Sequence, residues 1–215
     1  MAFRGWPVEA IEFFEGLEAD NSKAYWTDNK ATYERCVRAP MEALLAELAP
    51  VHGEGRIFRP NRDVRFSRDK SPYKTNIGAT LAAGGYVSLS ADQFGVGTGY
   101  YTMAKDQLER YRAAVVDDDE GPALQALVDR LRAADLEISA HDILKTAPRG
   151  FPRDHPRIEL LRMKGLIAWR SWEIGAWLES EEPVARASAF LETAQPLMTW
   201  LDEKVGPSEL EGVWG

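Results

Sequence analysis

Ile77-Gly78-Ala79-Thr80-Leu81-Ala82-Ala83, Gly84-Gly85, Tyr86-Val87-Ser88-Leu89-Ser90, Ala91-Asp92-Gln93 and Phe94-Gly95-Val96-Gly97-Thr98-Gly99-Tyr100 run consecutively through the middle of the chain. They read as three short strands over 77–83, 86–90 and 94–100, with few charges inside them. A Gly-Gly pair between short strands signals a tight hairpin, because glycine supplies the positive φ that such turns demand. Connections this short permit only antiparallel pairing, so the stretch predicts a meander. The spacing of glycines in Gly95-Val96-Gly97-Thr98-Gly99 invites comparison with a phosphate-binding loop. It has no Lys-Ser/Thr ending, and Tyr100 stands where a dinucleotide fingerprint wants glycine. Closely spaced glycines also let a strand approach its neighbour, and that structural reading is favoured.

Helices are expected on both sides of this core. Val8, Ile11, Phe14 and Leu17 recur at helical spacing behind Pro7, a residue suited to a first helical turn. Asp20-Asn21-Ser22 then breaks the chain and caps a second helix through Tyr25, Trp26, Tyr33 and Val37. Pro40 either kinks that helix or opens a third one, whose stripe is Met41, Leu44, Leu45 and Leu48 and whose end is marked by Pro50 and Gly53. Beyond the strands, helices are predicted over about 103–115, after Gly121-Pro122, and from Pro183 to Gly206-Pro207 with a kink at Pro196. The last third reads as helical, with Trp169, Trp172 and Trp177 as a packed aromatic cluster. The fold expected is α+β: an antiparallel meander sheet of about four to five strands in the N-terminal half, packed by N-terminal and C-terminal helices. No internal repeat or linker stands out, so residues 1–215 read as a single domain.

Composition narrows the class. The chain has 215 residues, 45% of them hydrophobic and 28% charged, which is ordinary for a globular protein. Its single cysteine, Cys36, cannot form a disulfide within the chain. Met1 to Pro7 is too short and polar for a signal peptide, and no apolar run reaches spanning length, so a cytoplasmic location away from membranes is expected. The net charge of −8 opposes broad, non-specific binding to a nucleic-acid backbone. A local basic groove is compatible with it.

Such a local concentration exists. Between Arg56 and Lys74 stand seven basic residues (Arg56, Arg59, Arg62, Arg65, Arg68, Lys70 and Lys74) and only two acids, Asp63 and Asp69. The segment is therefore +5, and the rest of a −8 chain must carry −13. Alternation from Ile57 to Ser67 suggests a strand, with Phe58, Val64 and Phe66 on one parity and mostly cationic and polar residues on the other. Pro60 predicts an edge, bulge or break in it. Ser67 to Asn76 reads as loop.

A second stretch, Lys145-Thr146-Ala147-Pro148-Arg149-Gly150-Phe151-Pro152-Arg153-Asp154-His155-Pro156, is also cationic and is fixed by three prolines. His155 within it is either a general acid or base, since imidazole titrates near neutrality, or a residue pinned between Asp154 and Pro156 to shape the loop. The acidic turn Asp117-Asp118-Asp119-Glu120 reads as a helix cap rather than a metal site. With the histidines far apart and Cys36 alone, no metal constellation is legible, and the cofactor is left unknown.

The spacing Arg59-x-x-Arg62-Asp63-x-Arg65-Phe66-x-x-x-Lys70-x-x-Tyr73, with Asp69 directly before Lys70, resembles the hallmark of a bacterial family without an assigned function, domain-of-unknown-function family 2461. The Lys145-x-x-Pro148-Arg149-Gly150-Phe151 loop and the segment through His155-Pro156 are similar to that family too, and the likeness spans nearly the whole chain. It implies a bacterial, intracellular, single-domain protein. It carries over no reaction, cofactor or catalytic residue.

Two functions follow from the residues. In the first, Arg59, Arg62, Arg65, Lys70 and Lys74 clamp a phosphorylated or carboxylated small molecule or a nucleotide, because guanidinium forks match both anions. Tyr73 donates a hydrogen bond or stacks, Asp63 acts as general base or orients an arginine, and Arg149 with His155 closes the pocket from the second loop. Whether chemistry follows binding is left open. In the second, the same basic surface is a non-catalytic module for nucleic acid or an acidic protein. Oligomeric state is not legible.

Overall fold

The computed structural model describes residues 2–65 and 68–210. The elements in order are α1 (Val8–Ala19), α2 (Lys23–Thr32), a π-helical turn (Tyr33–Arg38), α3 (Ala39–His52), β1 (Gly55–Ile57), β2 (Asn76–Leu81), β3 (Gly85–Ser90), β4 (Gln93–Tyr100), α4 (Lys105–Val116), α5 (Glu120–Ala133), β5 (Glu137–Ser139), α6 (Ile158–Arg162), β6 (Leu166–Glu173), a 3-10 turn (Ala176–Glu179) and α7 (Glu182–Lys204). The strands form one antiparallel sheet in the order β1-β2-β3-β4-β6-β5. The protein is α+β as expected, with six strands rather than four or five, because β5 and β6 come from the second half of the chain.

The chain divides into two compact units, residues 1–96 with 171–191, and residues 97–170 with 192–215. In the first unit the meander is as read: β2 pairs with β3 so that Gly78 faces Ser88 and Thr80 faces Tyr86, and β1 pairs with β2 so that Arg56 faces Thr80. Facing residues of antiparallel strands share a sheet face. Ile77, Ala79, Leu81, Val87 and Leu89 therefore form one apolar face, all buried. Gly85 lies on that face against Leu81 and Leu191 of α7. The opposite face carries Arg56, Asn76, Gly78, Thr80, Tyr86, Ser88 and Ser90, all small or polar apart from the Tyr86 ring.

The helices of this unit begin and end close to where the sequence marks them, except that Pro50, expected to help end α3, lies inside it. The Ser22 hydroxyl accepts the Tyr25 N–H at 3.1 Å, capping α2. Pro40 sits in the first turn of α3, where its missing N–H costs nothing, and Gly53 ends that helix at φ 76°. Trp6 is fully buried, donates its indole N–H to the Val37 carbonyl at 3.1 Å, and meets Phe3 edge-on.

The expected strand from Ile57 to Ser67 is corrected. Regular pairing stops at Ile57, with one further bond from the Phe58 N–H to the Gly78 carbonyl at 2.9 Å. Pro60 has no N–H to continue the ladder, and the chain leaves the sheet there. The parity is also reversed where it exists: Phe58, opposite Gly78, stands on the polar face. Phe66 and Ser67 lie outside the described residues.

In the second unit, Tyr111 and Val115 of α4 and Leu124, Val128 and Leu131 of α5 are buried. Trp169 lies on strand β6 and not on a helix, with its ring against the glycine gap at Gly97. The glycine-rich stretch thus has the close-approach role: Gly99, at φ 124°, runs against the Leu166 carbonyl. Asp117 caps α5, its carboxylate accepting the N–H groups of Asp119 and Glu120, both at 2.9 Å. Those two bonds, the Glu120 one first, hold its pKa below the ordinary carboxylate value.

A closed cationic loop as candidate functional site

The segment from Pro60 to Lys74 is a loop closed on its own stem. Lys74 N–H donates to the Pro60 carbonyl at 2.8 Å, Arg62 N–H donates to the Pro72 carbonyl at 2.9 Å, and Asn61 and Tyr73 form an isolated antiparallel bridge between them. The stem is fixed from outside by Asn21. Its amide donates to the Tyr73 carbonyl at 3.1 Å and accepts the Tyr73 N–H at 3.0 Å, satisfying both backbone groups of one residue. The Tyr73 ring stacks flat on Trp26, with centroids 4.4 Å apart and planes 10° apart, and the residue is only 7% exposed. Tyr73 anchors the loop to α2; its hydroxyl has no hydrogen-bond partner among the described residues. Asn21→Ala removes both clamp bonds and should cost about 2 kcal/mol, from two hydrogen bonds of ordinary net value. Urea denaturation measures it, and no change in the midpoint would show that the clamp is slack.

Inside the loop the two acids are both engaged. Asp63 receives Arg65 in a bidentate pair, Nε to Oδ1 at 3.0 Å and Nη2 to Oδ2 at 2.7 Å, and also accepts the Arg65 backbone N–H at 3.2 Å. Asp69 accepts the Ser71 hydroxyl at 2.6 Å and N–H at 2.9 Å, and pairs with Arg62. Lys70 Nζ donates to the Val64 carbonyl at 2.9 Å. The Arg65 side-chain and backbone bonds bring the Asp63 pKa down to about 2 from 3.8, and Ser71 first, then Arg62, lower that of Asp69 further.

The sign of the resulting pH dependence is fixed. A carboxylate depressed in the folded state contributes stability above its ordinary value, and that contribution is lost as pH falls through the folded value. Both ion pairs should be intact from neutrality to below pH 3.8, and Asp63 should take its proton near pH 2. Carboxyl NMR titration checks this; a midpoint for Asp63 at the ordinary value would show that the pair with Arg65 does not persist in solution.

The remaining cations have no such partners. Arg56, Arg59, Arg68, Lys70 and Lys74 form no ion pair among the described residues. Lys74 is half-buried, with its ammonium 5.2 Å from the centroid of the Phe58 ring. Burial, and then the charge of Arg59, lower its pKa, so two like charges are held near each other.

Of the sequence-predicted site residues, Arg59, Arg62, Asp63, Arg65, Lys70, Tyr73 and Lys74 belong to this one loop and its stem. Arg149 and His155 lie in the second unit. There Arg149 is exposed and half-buried His155 accepts the Arg157 N–H on Nδ1 at 3.1 Å, shaping the turn into α6. Arg157 uses its guanidinium on the C-terminal carbonyls of α4, donating to Val115 at 2.6 Å. Sequence reasoning missed Asn21 and Trp26 as supports of the loop. Asn21 was legible only as part of a helix cap, and no local pattern connects it with a residue 52 positions away. Among the described residues, no group of three or more His, Cys, Asp or Glu side chains is placed to hold a metal ion.

Fold and site together define an α+β protein with an antiparallel sheet and a closed, arginine-rich loop at the end of that sheet. The family model described as "Conserved hypothetical protein (DUF2461)" matches residues 9–200, and the chain belongs to this family. None of the curated proteins matches it. No helix among the described residues is long and apolar enough to cross a membrane.

Proposed function

We propose that the loop binds an anionic small molecule carrying a phosphate or carboxylate, a nucleotide included. The observation that carries this reading is the five cations between Arg56 and Lys74 that form no ion pair among the described residues, while both local acids are already occupied by Arg62 and Arg65. Arg59 and the half-buried Lys74 repel each other, and an anion relieves that repulsion. Arg62, Arg65 and Lys70 hold the loop in shape; Arg59 and Lys74 face the ligand, and the Tyr73 hydroxyl supplements them. Asp63 orients Arg65 in this reading, since a carboxylate at about 2 is a weak base at neutral pH.

The test is isothermal titration with inorganic phosphate, pyrophosphate and citrate, using wild type, Arg59→Ala and Lys74→Ala. A charge-assisted hydrogen bond of roughly 1.5–3 kcal/mol corresponds to a loss of about tenfold or more in affinity for each variant. The reading is overturned if no anion binds, or if both variants, still folded by circular dichroism, keep the wild-type affinity.

A further inference from the structure

The polar face of the first unit's sheet is continuous with these cations. The register places Gly78 and Ser88 in one row across β2 and β3, with Phe58, just past β1, beside Gly78, and Arg56, Thr80 and Tyr86 in the next row. Phe58 is 40% exposed, and its ring stands beside the charged Lys74. Gly78 explains how a second ring reaches it. A side chain at 78 would meet the Tyr86 hydroxyl at 2.5 Å, so the bare backbone lets Tyr86 lean across β2 until its ring is 6.1 Å from that of Phe58. The result is an aromatic ledge over small residues, bordered by Arg56, Arg59 and Lys74.

We infer that the ligand is a nucleoside phosphate: its base lies against the exposed side of Phe58 beside Tyr86, and its phosphate meets Lys74 and Arg59. This rests on the anion-binding reading and adds the class of ligand. The ammonium of Lys74 stands 5.2 Å from the Phe58 ring, so charge recognition and ring recognition are adjacent. A ligand that uses both must join an anion to a flat ring, and a bare phosphate, sugar phosphate or aliphatic carboxylate uses only the first. The hydroxyls of Ser88 and Thr80 offer hydrogen bonds on the floor. The chain's net charge of −8 favours a small ligand over a long polyanion.

The experiment titrates the full chain with AMP, GMP, CMP and UMP, with ribose 5-phosphate and inorganic phosphate as ring-free probes, and with a ten-nucleotide thymidine oligomer. At least one mononucleotide should bind about tenfold more tightly than ribose 5-phosphate, the scale of one base stacked on an aromatic ring. Phe58→Leu, which keeps an apolar side chain without a ring, should remove that advantage and leave ribose 5-phosphate affinity within about twofold. Equal affinity for mononucleotides and ribose 5-phosphate overturns the nucleoside class and leaves anion binding standing. Binding by the oligomer but by no mononucleotide overturns it in favour of a nucleic-acid strand. No binding by any probe overturns both readings.

Discussion

Gly99→Ala should leave little folded protein. Gly99 has φ 124°, a backbone conformation that residues with a Cβ rarely adopt, and a Cβ there would lie 2.2 Å from the Leu166 carbonyl oxygen and 2.8 Å from the Ile167 Cα. Both obstacles are backbone, so no side-chain rotation relieves them. Conformational strain of about 1–3 kcal/mol adds to the cost of moving the start of β6 away from β4. The sum is about 4 kcal/mol, a large part of the stability of a domain of this size. Gly165 meets the same crossing from the other strand, with the carbonyl oxygens of Tyr101 and Tyr100 at 2.4 and 2.6 Å from a Cβ placed there. Soluble yield and thermal melting of Gly99→Ala measure the effect; a melting temperature within a few degrees of wild type would mean that the two strands are not held this closely.

Trp26→Ala has the second largest expected effect, and it reaches the candidate site. Trp26 lies between Tyr73, stacked at 4.4 Å, and Tyr33, tilted at 4.8 Å, and meets Phe13 edge-on at 5.8 Å. Removing it takes away three ring contacts and opens a cavity beside the anchor of the loop. Aromatic-to-alanine changes in cores cost roughly 3–5 kcal/mol, and the partial exposure of Trp26 places this one near about 3 kcal/mol. Affinity for phosphate should fall along with stability, because Tyr73 fixes the bridge to Asn61 that closes the loop. Trp26→Phe should recover most of both. A variant that loses stability but binds phosphate as wild type would separate the aromatic cluster from the site.

The parts of the fold that were legible were those set by neighbours in sequence. The Gly84-Gly85 hairpin, the Ser22 cap and the Gly53 helix end each depend on a few adjacent residues. Strand β6 was not legible, because Trp169 and Trp172 stand three apart, a helical spacing, and five of the seven residues from Leu166 to Trp172 are apolar. Its strand character comes from its partners on either side, Ile138 facing Ala168 on β5 and the glycines of β4 near Trp169. The cationic cluster was visible as composition. Its internal arrangement was not, because alternation from Ile57 imitated a strand while Pro60 and the bonds from Lys74 and Arg62 turned the chain back on itself. Which arginines are occupied and which are not depends on how the loop closes, and spacing alone cannot say.

The place of β1 at the end of the sheet has a bearing on solubility. An end strand presents unpaired backbone groups to any other chain that could add to it, and proteins guard such edges with short strands, charge and proline. Here β1 is three residues long, carries Arg56, and is followed by Arg59 and Pro60. The cations of this segment therefore repel a second copy of this edge. On the proposed reading, a bound anion that neutralises them would weaken that repulsion, so ligand occupancy and resistance to edge-to-edge aggregation would run in opposite directions.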